Sequence, residues 1–577
     1  MSARHDIAIK PAELLGILHI PIRGLEAAAK TKVFYTRKRM DKNGRMVEQR
    51  CEAGVEVDRT PCSVQVQFEV PLDHRTTRHH DFEHLNIVLT STFVFGGLET
   101  GSIKTVEELQ SQLKQRENIT VFLCGGPGDY NPAERNPLFN VEYLKNDGCL
   151  IFLDYRGTGS SHEIRDRSKP ARHVEEVQLQ QRYINLLRPE PWVRKADKKP
   201  PRNETEVRAM ANLLSLFRQD SIVYDLESIR QCLFGPGSTR KWNIFGQSYG
   251  GWVSLTYLSQ YPRSLASSTI TAGLAPITAS PDEAYSKLFQ VVKERNDAYY
   301  RQYPDDIHRV KRIVEYLLDY ETNRNPGVGL EIQNGRLTAR RFLCIGRGLG
   351  ARDRFSRLHD LIERMYEDLE ESGDLDRRTL DLYCSSEDSW GFDRRPLYAV
   401  LHEAMYCRGA ASNWSAQRVA RSMPEFSWAG VGREISELLL GSQCKQESDE
   451  YKIYFSGEMV YPFMFEDYDA LVPLAGVAEA LARHVWVDPY NDEALHHNQV
   501  PVYALSYESD MHVNTELAKA TAGVIGKNAD KDARVVPIRH KILTKIPGNG
   551  RDFQHASLRS DVEAVLRELK DLIKGSE

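Results

Sequence analysis

The residues best placed to do chemistry begin with Gly246-Gln247-Ser248-Tyr249-Gly250-Gly251. The apolar run Trp242–Phe245 precedes them and a helical pattern follows. A strand that turns sharply into a helix holds its central residue in a strained conformation, and the residues two positions away must be small to avoid collision. Ser248 would then stand at the end of its strand, at the positive end of the helix that follows, as a nucleophile.

A serine hydroxyl needs a base to take its proton and an acid to orient that base. In this strand-turn-helix context the chain order is nucleophile, acid, histidine. The acid should follow a strand late in the chain, and Val500–Tyr507 is such a strand, followed by Glu508, Ser509 and Asp510. Asp510 is favoured because the turn needs a few residues to aim inward, with Glu508 the runner-up; Asp488 and Asp492 precede the strand and fit less well. Of the three later histidines, His540 continues a basic, strand-like stretch and His512 is too near Asp510 to come from a separate loop. His555 lies just before the last helix, after Gly548-Asn549-Gly550-Arg551-Asp552-Phe553-Gln554, a loop able to bring an imidazole over the serine. Ser248, Asp510 and His555 form the expected triad.

The oxyanion of a tetrahedral intermediate needs fixed N–H donors. One should be the backbone of Tyr249. The other should come from Gly125-Gly126-Pro127-Gly128, directly after the apolar run Ile119–Cys124, with Gly126 the expected donor. Asp154-Tyr155-Arg156-Gly157-Thr158-Gly159-Ser160 follows the next strand and suits a loop that braces this turn.

These residues need a sheet to hold them. Ser63–Val70 alternates polar and apolar residues, and His84–Phe95 makes a second strand, an antiparallel opening. Short apolar runs at 119–124, 149–153, 241–245 and 265–271 then alternate with helical patterns such as 220–233 and 250–261, the signature of a parallel sheet covered on both faces. From 276 to 445 the pattern is helical (284–303, 305–320, 354–371, 396–407), which reads as a cap inserted between two halves of the sheet. Strands at 500–507 and 533–538, a helix at 515–524 and an amphipathic helix at 558–574 complete it. The expected organisation is an N-terminal extension (1–60), a first core part (61–275), the helical cap (276–445) and a second core part (446–577), with 160–218 an excursion from the sheet.

The chain has 577 residues, 41% apolar and 27% charged, with a formal net charge of -5. That balance gives no electrostatic reason to expect nucleic acid or an anionic membrane as partner. No run approaches the length of a membrane span, and the first ten residues lack the apolar stretch of a secretory signal. The nine cysteines form no C-x-x-C pair. They read as reduced thiols of a cytoplasmic protein, without a zinc site. No cofactor or metal is expected.

With these pieces in place, the chain resembles the proline iminopeptidases of the α/β-hydrolase fold. The resemblance is carried by Gly125-Gly126-Pro127-Gly128, Asp154–Ser160, Gly246–Gly251, Gly457-Glu458-Met459-Val460-Tyr461-Pro462 and Phe553-Gln554-His555, with Val70-Pro71-Leu72-Asp73 weaker upstream. It implies a mostly parallel central sheet with helices on both faces, a helical cap, and release of an N-terminal residue, preferably proline, from small peptides with a free N-terminus. It also implies that acidic residues of the cap region bind the substrate's amino group. Glu458 matches one of these, and Glu403, in Leu401-His402-Glu403-Ala404-Met405-Tyr406, is similar to another. An ammonium enclosed in a pocket needs carboxylates to offset its desolvation. Two departures stand out: Cys124 occupies a position where the family commonly has His, and the chain is longer than the compact members. The same triad could serve an esterase or a peptidase of tri- or dipeptidyl type, and a hydrolase scaffold kept only for protein interaction would be expected to lack a triad member.

Overall fold

A computed structural model describes residues 9–18, 31–40, 46–57, 62–75, 86–98, 102–130, 148–161, 164, 203–326, 329–350, 354–386, 392, 395–429, 451–547 and 551–575. Most of the excursion at 160–218 and the glycines of the 548–550 loop lie outside the described residues.

Nine strands form the main sheet: β1 (Glu13–Leu18), β2 (Cys62–Pro71), β3 (Asn86–Phe95), β4 (Ile119–Leu123), β5 (Cys149–Leu153), β6 (Trp242–Gln247), β7 (Leu265–Thr271), β8 (Val502–Tyr507) and β9 (Arg539–Leu543). Their order across the sheet is β1-β2-β3-β5-β4-β6-β7-β8-β9. The first pairings, β1 with β2, β2 with β3 and β3 with β5, are antiparallel. Every pairing from β5 through β4, β6, β7 and β8 to β9 is parallel. Strands β4 and β5 are buried along their whole length, as parallel strands covered on both faces must be, which is why they read as unbroken apolar runs.

Two elements differ from the sequence reading. Part of the expected N-terminal extension is a strand of the sheet, since β1 pairs along β2 with an irregularity between Leu14 and Gly16. The last strand lies at Arg539–Leu543 and not at 533–538. As an edge strand with β8 as its neighbour, β9 presents half-exposed Arg539 and His540 and exposed Lys541, so it carries no apolar run.

Between β7 and β8 the chain contributes no strand to the main sheet among the described residues. It forms helices at Pro281–Gln302, Asp306–Asp319, Arg354–Ser372, Pro396–Leu401 and Ser415–Arg421, with a small hairpin of Leu330–Ile332 and Gly335–Leu337. Asn296 of the first of these helices ties it to the segment before Glu458, donating to the carbonyl of Phe455 at 2.9 Å and accepting from its N–H at 2.8 Å. Among the described residues no helix is long and apolar enough to cross a membrane.

Candidate active site

Ser248 sits at the turn from β6 into the helix Tyr249–Gln260, with φ 57° and ψ -124°. A non-glycine residue at positive φ is held there by its surroundings, at a cost of order 1–3 kcal/mol. Here backbone contact on every side does the holding. The Ser248 N–H donates to the carbonyl of Thr271 in β7, and its own carbonyl accepts from Gly251. A Cβ at Gly250 would lie 2.0 Å from the carbonyl oxygen of Leu123, and one at Gly251 would lie 1.8 Å from that of Gly273. The glycines of the motif therefore allow three strand ends to close around the serine.

His555 brings Nε2 to 2.8 Å from Ser248 Oγ and Nδ1 to 2.9 Å from Asp510 Oδ2. Asp510 follows β8 by three residues and is 2% exposed. Its Oδ1 accepts the backbone N–H groups of His512 at 2.8 Å and Val513 at 3.3 Å. Burial works against a charge on this carboxyl, but His555 and His512 outweigh it and hold it well below the usual carboxylate range. The arrangement can deprotonate a hydroxyl and stabilise the imidazolium that results.

The other acids considered lie elsewhere. Glu508 is exposed, and Asp488 and Asp492 both pair with Arg408, at 3.0 and 2.8 Å. His540 belongs to β9, where its Nε2 meets Ser506 Oγ at 2.9 Å.

The glycine turn lies against the nucleophile: a Cβ on Gly125 would touch that of Ser248 at 3.4 Å, and Gly126 adopts φ 125°, open to glycine alone. The following loop braces this turn, since the Tyr155 hydroxyl donates to the carbonyl of Cys124 at 3.2 Å. Arg156 is fully buried on Asp225, with bonds of 2.8 and 2.6 Å, and also donates to the carbonyls of Leu72 and Leu216. It ties β2's exit and two neighbouring segments together.

The two acids expected at the substrate's amino group differ in their surroundings. Glu458 lies near the triad, its Oε1 3.7 Å from His512 Nε2, and its side chain is 18% exposed. Burial pushes its carboxyl up, but His512, His402 and His555, with Tyr398 nearby, outweigh this and lower it. Glu403 does not join this group. Its two oxygens accept the N–H groups of Ser415 at 3.2 Å and Ala416 at 2.9 Å, at the start of the helix Ser415–Arg421. Burial raises its pKa, with these bonds acting in opposition. Both carboxylate oxygens of Glu403 thus serve a helix cap, because a buried helix start needs acceptors for its unpaired N–H groups.

Sequence reasoning set His512 aside, yet its ring stacks on that of His555, with centroids 4.2 Å apart. The usable signal was the Asp-x-His spacing: the carboxylate of Asp510 accepts the N–H of residue 512, and this tight turn folds the ring back over the site. Asp510, His512 and His555 each offer a ligand atom within 4.8 Å of the others.

The α/β-hydrolase fold family model matches residues 121–315. A proline iminopeptidase from Aeromonas sobria is 31% identical over 459 residues, covering 79% of this chain and 87% of its own length. A proline iminopeptidase from Aspergillus aculeatus is 31% identical over 408 residues, covering 70% of this chain and 77% of its own length. The crystal structure of a proline iminopeptidase from Mycobacterium smegmatis is also similar, at 11% identity and a TM-score of 0.32, covering 85% of this chain and 97% of that one.

Proposed function

The chain belongs to the proline iminopeptidases of the α/β-hydrolase family, and from that premise we propose that it is a serine aminopeptidase releasing N-terminal residues, preferably proline, from small peptides. The observation that carries this reading is the continuous contact from Asp510 through His555 to Ser248 Oγ, with an acidic side chain, Glu458, beside it.

The mechanism follows from the geometry. His555 Nε2 takes the proton of Ser248 Oγ as the oxygen attacks the carbonyl of the N-terminal residue. The negative oxygen formed is met by the backbone N–H groups of Tyr249 and Gly126. His555 then gives the proton to the leaving amine, and the N-terminal residue remains as an ester on Ser248. Water enters, His555 removes its proton, and the reverse sequence frees the acid and restores the hydroxyl. Asp510, with one oxygen on His555 Nδ1 and the other on two backbone N–H groups, keeps the imidazole in the tautomer this requires.

Glu458 supplies the preference for a free amino end. A buried carboxylate facing an ammonium offsets the desolvation of both, whereas a blocked amine leaves it without a partner. Kinetics with prolyl and alanyl amides, their N-acetyl counterparts and simple esters test the reading. Prolyl amides should be fastest and N-acetylation should abolish turnover. Esters cleaved as well as free-amine amides, with N-acetyl amides undiminished, would make the protein an esterase or an endopeptidase-like hydrolase instead.

A further inference from the structure

His512 has no place in the proton path just described, yet it touches Asp510 and His555. Its Nδ1 is buried 3.4 Å from Asp510 Oδ1 and makes no hydrogen bond among the described residues. Its Nε2 is 3.7 Å from Glu458 Oε1. Its ring lies almost parallel to that of His555, with planes 23° apart. A Cβ on Gly350 would lie 2.8 Å from its Cε1, so the chain at 350 walls in the ring. An imidazole between two carboxylates, with a nitrogen toward each, is placed to be a cation. An imidazole stacked on a catalytic base is badly placed to be one, because that base becomes a cation in the reaction.

We propose that His512 is a positioning residue coupling the amine anchor to the triad: in the empty site it stands as a cation between Glu458 and Asp510, and a substrate ammonium arriving at Glu458 takes over that charge, so that the ring gives up its proton to solvent. The site then keeps the same net charge, and the ring stacked on His555 is neutral when His555 takes the proton of Ser248. A peptide without a free amine leaves the charge on His512, and His555 is then opposed in becoming imidazolium. Selection for the amino end would thus act on the chemical step as well as on binding.

The electrostatic surroundings agree. Burial works against a charge on His512, but Glu458 and Asp510 outweigh it and raise its pKa, with Arg347 opposing. Three further titratable rings face this group: burial holds His402 neutral, its pKa lowered to about 4, and pushes the hydroxyls of Tyr398 and Tyr406 up.

The proposal rests on Glu458 as the amine anchor, and calorimetry separates the two. Prolyl-alanine and N-acetyl-prolyl-alanine are titrated into the Ser248→Ala protein near neutral pH, in buffers of different ionisation enthalpy. The free dipeptide should release about one proton on binding and the acetylated one almost none. Adding His512→Gln should remove the release while the preference for the free amine persists, because the backbone N–H of residue 512 still holds Asp510. In the Ser248 enzyme, His512→Gln should move the acid limb of kcat/KM for prolyl amides to lower pH. Proton release unchanged by His512→Gln overturns the coupling and leaves the anchor standing. So does absence of release from the Ser248→Ala protein itself, a result independent of whether the double variant folds. Equal binding of free and acetylated dipeptide overturns the anchor, and the coupling with it.

Discussion

His555 Nε2 lies 2.8 Å from Ser248 Oγ, although 307 residues separate the two in the chain. Neither residue is placed by its own neighbours alone. Ser248 is fixed by the ends of β6 and β7, while His555 comes from the segment after β9 and is fixed by Asp510 after β8. The contact therefore tests the whole parallel half of the sheet.

If that contact is the working part, Ser248→Ala should reduce turnover by about 10⁴-fold or more without unfolding the protein. Asp510→Asn should cost a comparable factor of about 10⁴, because the amide no longer enforces the tautomer of His555. Mass spectrometry after fluorophosphonate treatment should find the adduct on Ser248 and on no other serine. Turnover surviving in Ser248→Ala would remove the nucleophile.

The triad was legible because it depends on where strands end. Buried strands show as apolar runs, and the residues just past β6 and β8 have few positions to choose from. Glu403 was not legible in the same way. A carboxylate in a helical segment reads alike whether it faces a ligand or the start of another helix, and the helix it caps begins twelve residues later, at Ser415. β1 was missed because Gly16, where its pairing is irregular, interrupts the apolar pattern of Leu14, Leu15, Ile17 and Leu18, and β9 was misplaced because Val535 and Val536 imitate a strand better than Arg539-His540-Lys541 do. His512 was rejected for its nearness to Asp510, the very spacing that puts its ring on His555.

Glu458 and Glu403 should separate experimentally. Glu458→Gln should weaken kcat/KM for free-amine peptides by about 10- to 100-fold, the worth of a charge-assisted contact, while esters lose little. Glu403→Gln should lower stability by about 1–2 kcal/mol through the loss of charge at the helix start, with the ratio of free to blocked substrates unchanged. Chemical denaturation together with the substrate panel checks both, and an altered ratio in Glu403→Gln would return that residue to the substrate site.

The close approach of backbone at the nucleophile makes a further demand. A Cβ at residue 251 would stand 1.8 Å from the carbonyl oxygen of Gly273, and backbone cannot swing aside as a side chain can. Gly251→Ala should therefore destabilise by about 3 kcal/mol or more, or leave no soluble protein. Gly523→Ala is the matched control: that glycine has φ -66°, and its nearest neighbour would lie 3.4 Å away. It should change stability by less than about 1 kcal/mol, in either direction. Similar melting temperatures for the two variants would contradict the packing at the elbow.

His402 gives the fold a dependence on pH whose sign can be worked out. It is 1% exposed, its Nδ1 lies 3.1 Å from the Tyr285 hydroxyl, and burial lowers its pKa to about 4. In the unfolded chain the ring binds a proton below about pH 6.5, whereas in the folded protein it does not until about pH 4. The unfolded state thus holds more protons between these values, so stability falls as pH falls through that window and is flat above it with respect to this group. The full loss from one such ring is about 3 kcal/mol. His402→Asn, which keeps a polar partner for Tyr285 without titrating, should be less stable than the native chain at pH 7 and should close most of that gap by pH 4. Urea denaturation at half-unit steps from pH 7 to pH 4 measures the two curves. Curves that stay parallel would mean that the ring is already charged in the folded protein, and that the cavity around it holds an acceptor strong enough to pair with the charge.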